Sequence, residues 1–487
     1  MGARSRAPDR VKTPPGDAGL TRRGLLAGSV GAAALVALPA EAALASGTRA
    51  ARTASGAAAR PGSHAMTPPN FFIFGIPGPA DSPGPSMQAA RAPGAGKATA
   101  AAPAPLATGL AALPAQSPDK RFLALTAVRQ SAAGLRVAVS VVDSSTAAIV
   151  ARGILDLSRV SRESMLLVTP TFAADSATVG LVLSVTAPAN ARTIRKLHPN
   201  TGQMRQVEAA TWTSHHELAY FDVRTSTFAG PFDLADAPSL ARVTALADDR
   251  HLYLWTVPEA RAAGSGKAFK SRPSARPVPQ LAAYRLGSAR PSFQVSTADP
   301  WPVSGEPVTL LPTGEFARLA YARTVQVYSP VNGDVVAHAI PGLNLDAAKP
   351  GAPFMQSQPN GTVLLADPGI GRAVVADPAR NFRARSVISY PAPLYRAGGP
   401  ASKVALSPDA KTLYVLGPAR TGGLAAYDVA TGKLAGSYSH GVHYTGLYQI
   451  GGALIATAGY NPRLTFFSPA LEPLSLLNTD LHVTEVF

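Results

Sequence analysis

Histidine is the residue whose type and spacing come nearest to chemistry in this chain of 487 residues. His440 and His443 are separated by two residues, and His215 and His216 are adjacent. Imidazoles brought together can hold a divalent metal through a ring nitrogen or move a proton near neutral pH. His440 and His443 are weak candidates for a metal, and no residue is assigned a catalytic role. No Gly-x-Ser-x-Gly elbow and no His-Glu-x-x-His motif occurs. Gly264-Ser265-Gly266-Lys267 imitates the end of a phosphate loop, but Arg261 stands where the first glycine belongs and Ala268 where a hydroxyl must hold magnesium. The chain has no cysteine, which removes disulfides, thiolate nucleophiles and cysteine metal sites. None of these patterns requires a cofactor.

The elements that must position those histidines are repeats. The clearest copy runs from Ser407 to Tyr438: a Ser-Pro-Asp turn, the apolar run Leu413 to Leu416, a loop, a second run ending in Asp428, a tight Ala430-Thr431-Gly432 turn and a return strand. Aligning the ends of the third strand gives seven copies, at Val142-Asp143, Phe221-Asp222, Tyr284-Arg285, Tyr328-Ser329, Ala376-Asp377, Tyr427-Asp428 and Phe467-Ser468. The last four intervals are about 40–50 residues, the period of a four-stranded propeller blade, which cannot bury its faces alone and must stack on copies of itself. Apolar runs such as Leu252 to Trp255 and Val363 to Ala366 are continuous, as strands covered on both faces require. Pro-Asp, Asn-Gly and Thr-Gly pairs close the hairpins. The expectation is an all-β, seven-bladed propeller over residues 117–478 with few helices. Eight blades is the fallback, and the long second copy, around Thr193 to Val207, is where an extra blade would have to be found. That stretch is read as an insertion.

The residues of the sixth copy, SPDAKTLYVL followed by LAAYDVATGKLAGSY, resemble the YVTN-type propeller repeat of secreted and surface-layer proteins, a relative of the WD-repeat and lactonase-like propellers. The first copy matches less well, and no copy ends in Trp-Asp. The resemblance implies a fold and a tendency to bind, and it carries over no catalytic residue.

The N-terminus supplies an address. Thr21-Arg22-Arg23-Gly24-Leu25-Leu26 resembles a twin-arginine export signal, and the uncharged run to Ala40 ends in small-residue cleavage sites. Residues 1–45 are therefore expected to be a signal peptide handled by the twin-arginine translocase of a bacterium, and the cargo to be exported folded. The mature form is expected to be secreted or envelope-associated, without a transmembrane span. Residues 46–116, rich in Ala, Pro and Gly, read as a flexible linker. Within it Asn70 to Pro77 is apolar enough to dock as a strand. Residues 479–487 also alternate like a strand, and either segment is a candidate to close the ring.

The formal net charge is +16, and removal of residues 1–45 leaves it strongly positive, which favours anionic partners. The arginines are not interleaved with aromatic residues as a nucleic-acid groove would need, so nucleic acid is not expected. In a propeller the second-to-third connections and the blade-to-blade connections emerge on one face. That face receives all four histidines and the insertions at 187–213 and 258–280. The expected ligand-binding residues there are His215, His216, Trp301, Arg396, His440, His443 and Tyr444. The expected function is an exported, monomeric binding or scaffold module for a cell-envelope polymer, protein or small ligand. The alternative is a propeller-type lyase or lactonase-like hydrolase using histidines at the channel mouth.

Overall fold

The computed structural model describes residues 70–77, 85–91, 104–131, 134–160, 164–197, 204–234, 240–258, 280–296, 308–320, 324–340, 342, 353–358, 360–391, 403–417, 423–439, 442–450, 453–458 and 462–487. The expected signal peptide with Arg22 and Arg23, and the site candidates Trp301, Arg396 and His440, lie outside these residues.

Three strands come first: β1 (Asn70–Pro77), β2 (Ser86–Arg91) and β3 (Ala104–Ala107). Seven quartets follow in chain order. Blade 1 is β4 (Ala115–Gln116), β5 (Phe122–Ser131), β6 (Gly134–Asp143) and β7 (Ile149–Leu157). Blade 2 is β8 (Met165–Phe172), β9 (Thr178–Leu197), β10 (Met204–Asp222) and β11 (Thr227–Asp233). Blade 3 is β12 (Leu240–Ala247), β13 (His251–Pro258), β14 (Gln280–Arg285) and β15 (Pro291–Ser296). Blade 4 is β16 (Val308–Leu310), β17 (Phe316–Ala320), β18 (Thr324–Tyr328) and β19 (Val335–Ala339). Blade 5 is β20 (Phe354–Ser357), β21 (Val363–Asp367), β22 (Arg372–Asp377) and β23 (Arg383–Ser389). Blade 6 is β24 (Val404–Leu406), β25 (Thr412–Leu416), β26 (Leu424–Asp428) and β27 (Leu434–Tyr438). Blade 7 is β28 (Tyr444–Ile450), β29 (Ala453–Ala458), β30 (Arg463–Phe467) and β31 (Pro473–Asn478). The last strand is β32 (Leu481–Val486).

There are eight sheets, all antiparallel, and in seven of them the four strands are consecutive in the chain. First strands touch first strands of the next blade, as β16 does β20 and β24 does β28, so they line the axis. Second and third strands are buried on both faces, β21 along its whole length. Fourth strands alternate, as β31 does, because one face meets water. The seven third-strand ends fall where the repeat alignment expects them. Helical structure among the described residues consists of the 3₁₀ turn Pro378–Arg380 and the 3₁₀ residue Lys403.

The blade count corrects the expectation of seven. The eighth sheet has the order β3-β2-β1-β32, so it is assembled from both ends of the described chain. It does not arise at Thr193 to Val207, which forms the far part of the β9–β10 hairpin within blade 2. β1 pairs β2 on one side and β32 on the other, and Phe72 and Phe487 exchange N–H···O=C bonds of 2.9 Å in both directions. Phe71 and Ile73 pack on Phe466 and Ile455 of blade 7, whereas Phe72 and Phe74 pack on Leu123 and Leu125 of blade 1. Burying each of these side chains contributes about 1.5–3 kcal/mol, so the NFFIFGIP segment is the wedge that closes the ring. Buried Thr479 donates to Gln88 on β2 at 2.7 Å, which ties the last connection into the same blade. Gly75 lies at the bulge where β1 meets β32, and a Cβ there would run into the backbone of His482.

Several of the turns joining first to second strands and third to fourth strands are short and built on aspartate. In blade 1, Ser117 donates to Asp119 at 2.6 Å and receives the Phe122 N–H at 2.8 Å. Blade 6 repeats the arrangement with Ser407, Asp409 and Thr412 at 2.7 and 2.9 Å. Asp428 takes the N–H and hydroxyl of Thr431, while Gly432 adopts the positive φ of 68° that the turn requires.

Candidate functional site

The feature that stands out on the face of the second-to-third connections is the β9–β10 hairpin. Its strands pair from Thr178↔Asp222 out to Leu197↔Met204. β8 accompanies β9 only as far as Thr186, and β11 accompanies β10 only as far as Glu217. From Ala187 outward the hairpin is therefore a two-stranded ribbon, about 35 Å long at roughly 3.3 Å per residue. Such a ribbon carries unpaired backbone along both edges, a liability that natural proteins offset with cationic residues.

The register distributes those cations unequally. Arg192↔Ala209, Ile194↔Val207 and Lys196↔Arg205 are alternate pairs, so they share a face. Those six positions include three basic residues and no acidic one. The intervening pairs, Thr193↔Glu208 and Arg195↔Gln206, hold the one acid. β-Branched residues, Thr193, Ile194 and Val207 among them, suit a pleated strand.

At the root of the ribbon sit the first pair of histidines. Neighbours on a strand point to opposite faces, so His215 and His216 are not brought together. His216 is buried on the side of blade 3, with Nδ1 2.9 Å from the Ser184 hydroxyl. His215 is half exposed, with Nε2 3.6 Å from a carboxylate oxygen of Glu217. Glu217, which the sequence offered no motif to find, is buried and faces blade 1. Burial raises its carboxyl above the usual range, and the charge of its cross-strand partner Asp233 adds to the rise, while His215 and Arg159 oppose it.

The second pair lies elsewhere. His443 is exposed just before β28, the innermost strand of blade 7. Tyr444 is committed to packing: its ring is buried edge-on to Phe467 at 5.9 Å, and its hydroxyl donates to Thr465 at 3.4 Å. Burial raises its phenol above the ordinary value. Blades 2 and 7 are separated by blades 8 and 1, so His443 and the blade 2 histidines belong to different parts of the ring. Among the described residues no group of three His, Asp or Glu side chains is placed to hold a metal ion.

Strand order and count define the class of protein as an all-β, eight-bladed propeller. No family model and no curated protein matches the chain. Solved propellers are similar at low identity. Dihydro-heme d1 dehydrogenase NirN has 15% identity and a TM-score of 0.46, over 86% of this chain and 74% of that one. Sqt1 of Saccharomyces cerevisiae has 8% identity and a TM-score of 0.44, over 76% and 86%. A putative 6-phosphogluconolactonase from Bacteroides uniformis has 14% identity and a TM-score of 0.43, over 87% and 99%.

Proposed function

We propose that this chain is an exported binding propeller that presents the ribbon-bearing face to an anionic polymer of the cell envelope. The observation that carries the reading is the register of the ribbon, which puts Arg192, Lys196 and Arg205 on one face without a compensating acid. A row of cations on a projecting arm reaches a flexible polyanion before the body of the ring does, and the net positive charge that remains after removal of residues 1–45 steers the approach. Export through the twin-arginine route, read from Arg22-Arg23, places the protein where such polymers are. Intact-mass measurement of secreted protein is expected to show residues 1–45 removed, and retention of Met1 refutes the export step.

Long-chain polyphosphate is a suitable probe for the binding step. Affinity is expected to fall steeply with salt, and the triple variant R192Q/K196Q/R205Q to reduce the slope of log affinity against log salt by about two to three. An unchanged slope and affinity in that variant refutes the ribbon as the contact. The second reading, a lyase or hydrolase, is favoured by one contact, the His215–Glu217 pair. There a carboxyl raised by burial next to an exposed imidazole is a reasonable acid and base pair. Its place on the third strand of blade 2, away from the axis, favours binding as the first reading.

A further inference from the structure

The opposite face of the ring, formed by the first-to-second and third-to-fourth turns, carries a groove of about 640 Å³ between blades 3 and 4. One wall is the lower end of blade 3, where His251 and Arg285 are cross-strand partners and so stand side by side. Ser292 of β15 adds a hydroxyl, and Arg250 a second guanidinium. Among the described residues the one lining carboxylate is Asp249, 3.8 Å from the Arg250 Nε. Among the described residues no carboxylate pairs with Arg285.

His251 is held in place from behind. Buried Asp248 receives the N–H groups of Arg250 and His251 on one oxygen, at 2.7 and 2.5 Å. Its other oxygen receives the Tyr253 hydroxyl at 2.9 Å and lies 3.2 Å from Nδ1 of His251. Burial, and then the charge of Asp248, push the Tyr253 phenol far above its ordinary value, so it stays a donor. In that contact the ring donates from Nδ1 to the carboxylate, which holds the imidazole beside Arg285, and in the imidazolium form its second nitrogen, Nε2, is a donor to an anion as well. The facing wall is apolar. Pro330 and Val331 come from the third-to-fourth turn of blade 4, where Val331 is 80% exposed, and Leu286 continues the surface. That turn is fixed against blade 3, because Gly333 at φ 75° lies against the ring of Phe293.

We propose that this groove is a second ligand site, taking a small organic oxyanion whose head group meets Arg285 and His251 and whose apolar body lies on Leu286 and Val331. The site shares no residue with the ribbon, so either assignment stands or falls alone. Calorimetric titration of the full chain with phenyl phosphate and with benzoate tests it. Inorganic phosphate serves as the bare head group and benzyl alcohol as the neutral counterpart. At least one of the two aryl anions is expected to saturate at one equivalent, and which binds more tightly identifies the oxyanion. R285Q is expected to weaken that binding about tenfold, the loss that follows removal of a charged hydrogen-bonding partner. V331S, on a side chain that supports no core, is expected to weaken the aryl anion and leave inorganic phosphate unchanged. Benzyl alcohol binding as well as benzoate, titrations that do not saturate, or aryl-anion binding unaltered in R285Q overturns the proposal.

Discussion

Blade 6 and blade 8 have the same four-stranded antiparallel sheet, yet one is a continuous segment, Val404 to Tyr438, and the other joins β1–β3 to β32 from the far end of the chain. In blade 6 each strand is delivered to its neighbour by a short turn, so closure of the sheet is a local event. In blade 8 the innermost strand arrives only after the other seven blades have been laid down, and its pairing with β1 is the contact that completes the ring. Local pairing is entropically cheap, whereas a pairing of such sequence separation must be repaid by burial. Burial is what blade 8 has: residues 71–74 are all within the core, on both faces of the strand.

The largest effect is therefore expected at β32. Removing residues 481–487 deletes the innermost strand of blade 8, the paired bonds between Phe72 and Phe487, and the cover on Phe71 and Ile73. The cost is expected to exceed about 5 kcal/mol, beyond that of an ordinary substitution, and to appear as an apparent Tm lower by at least about 10 °C. A synthetic peptide of residues 479–487 added in trans is expected to recover part of the loss by adding a strand to the exposed edge of β1. A truncated protein that melts with the intact one would show that the ring does not depend on its closing strand.

The same contrast explains what was legible in the sequence. Blade 6 announces itself because its turn residues have conformational duties: Asp409 and Asp428 collect turn N–H groups, and Gly432 supplies a positive φ. Those duties recur from blade to blade, so the third-strand ends could be aligned and all seven continuous blades located. β2 and β3 read SMQAAR and APLA, with no turn signal and, beyond Met87 and Leu106, no large apolar side chain of their own. They become strands because Phe72, Phe74 and Leu123 from neighbouring strands and the next blade provide the surface they pack on, a tertiary effect that composition does not record. The site follows the same division. The insertion around Thr193 to Val207 was visible as extra length, but the grouping of Arg192, Lys196 and Arg205 on one face depends on a pairing register. The groove of His251 and Arg285 depends on cross-strand neighbours that lie 34 positions apart in the chain.

The smallest effect is expected from the turns of blade 6, where the comparison can be sharpened. The carboxyls of Asp409 and Asp428 are held below the usual carboxylate range, the first mainly by the Ser407 hydroxyl and the second mainly by that of Thr431. A carboxyl depressed in the folded state stabilises the fold fully above its unfolded value of about 3.9, and that contribution drains away as pH falls through the folded value. The double variant D409A/D428A is therefore expected to melt about 1–2 °C below the parent at pH 7, since solvent screens turns this exposed. The gap should close as the pH is lowered through the range below about 4, where the parent's carboxyls take up protons as well. Thermal unfolding of both proteins between pH 3 and pH 7 checks this. A gap that stays constant with pH would mean that the two aspartates act through the shape of the turn and not through their charge, and a loss as large as that of the β32 deletion would mean that blade 6 is not the locally closed unit its continuity implies.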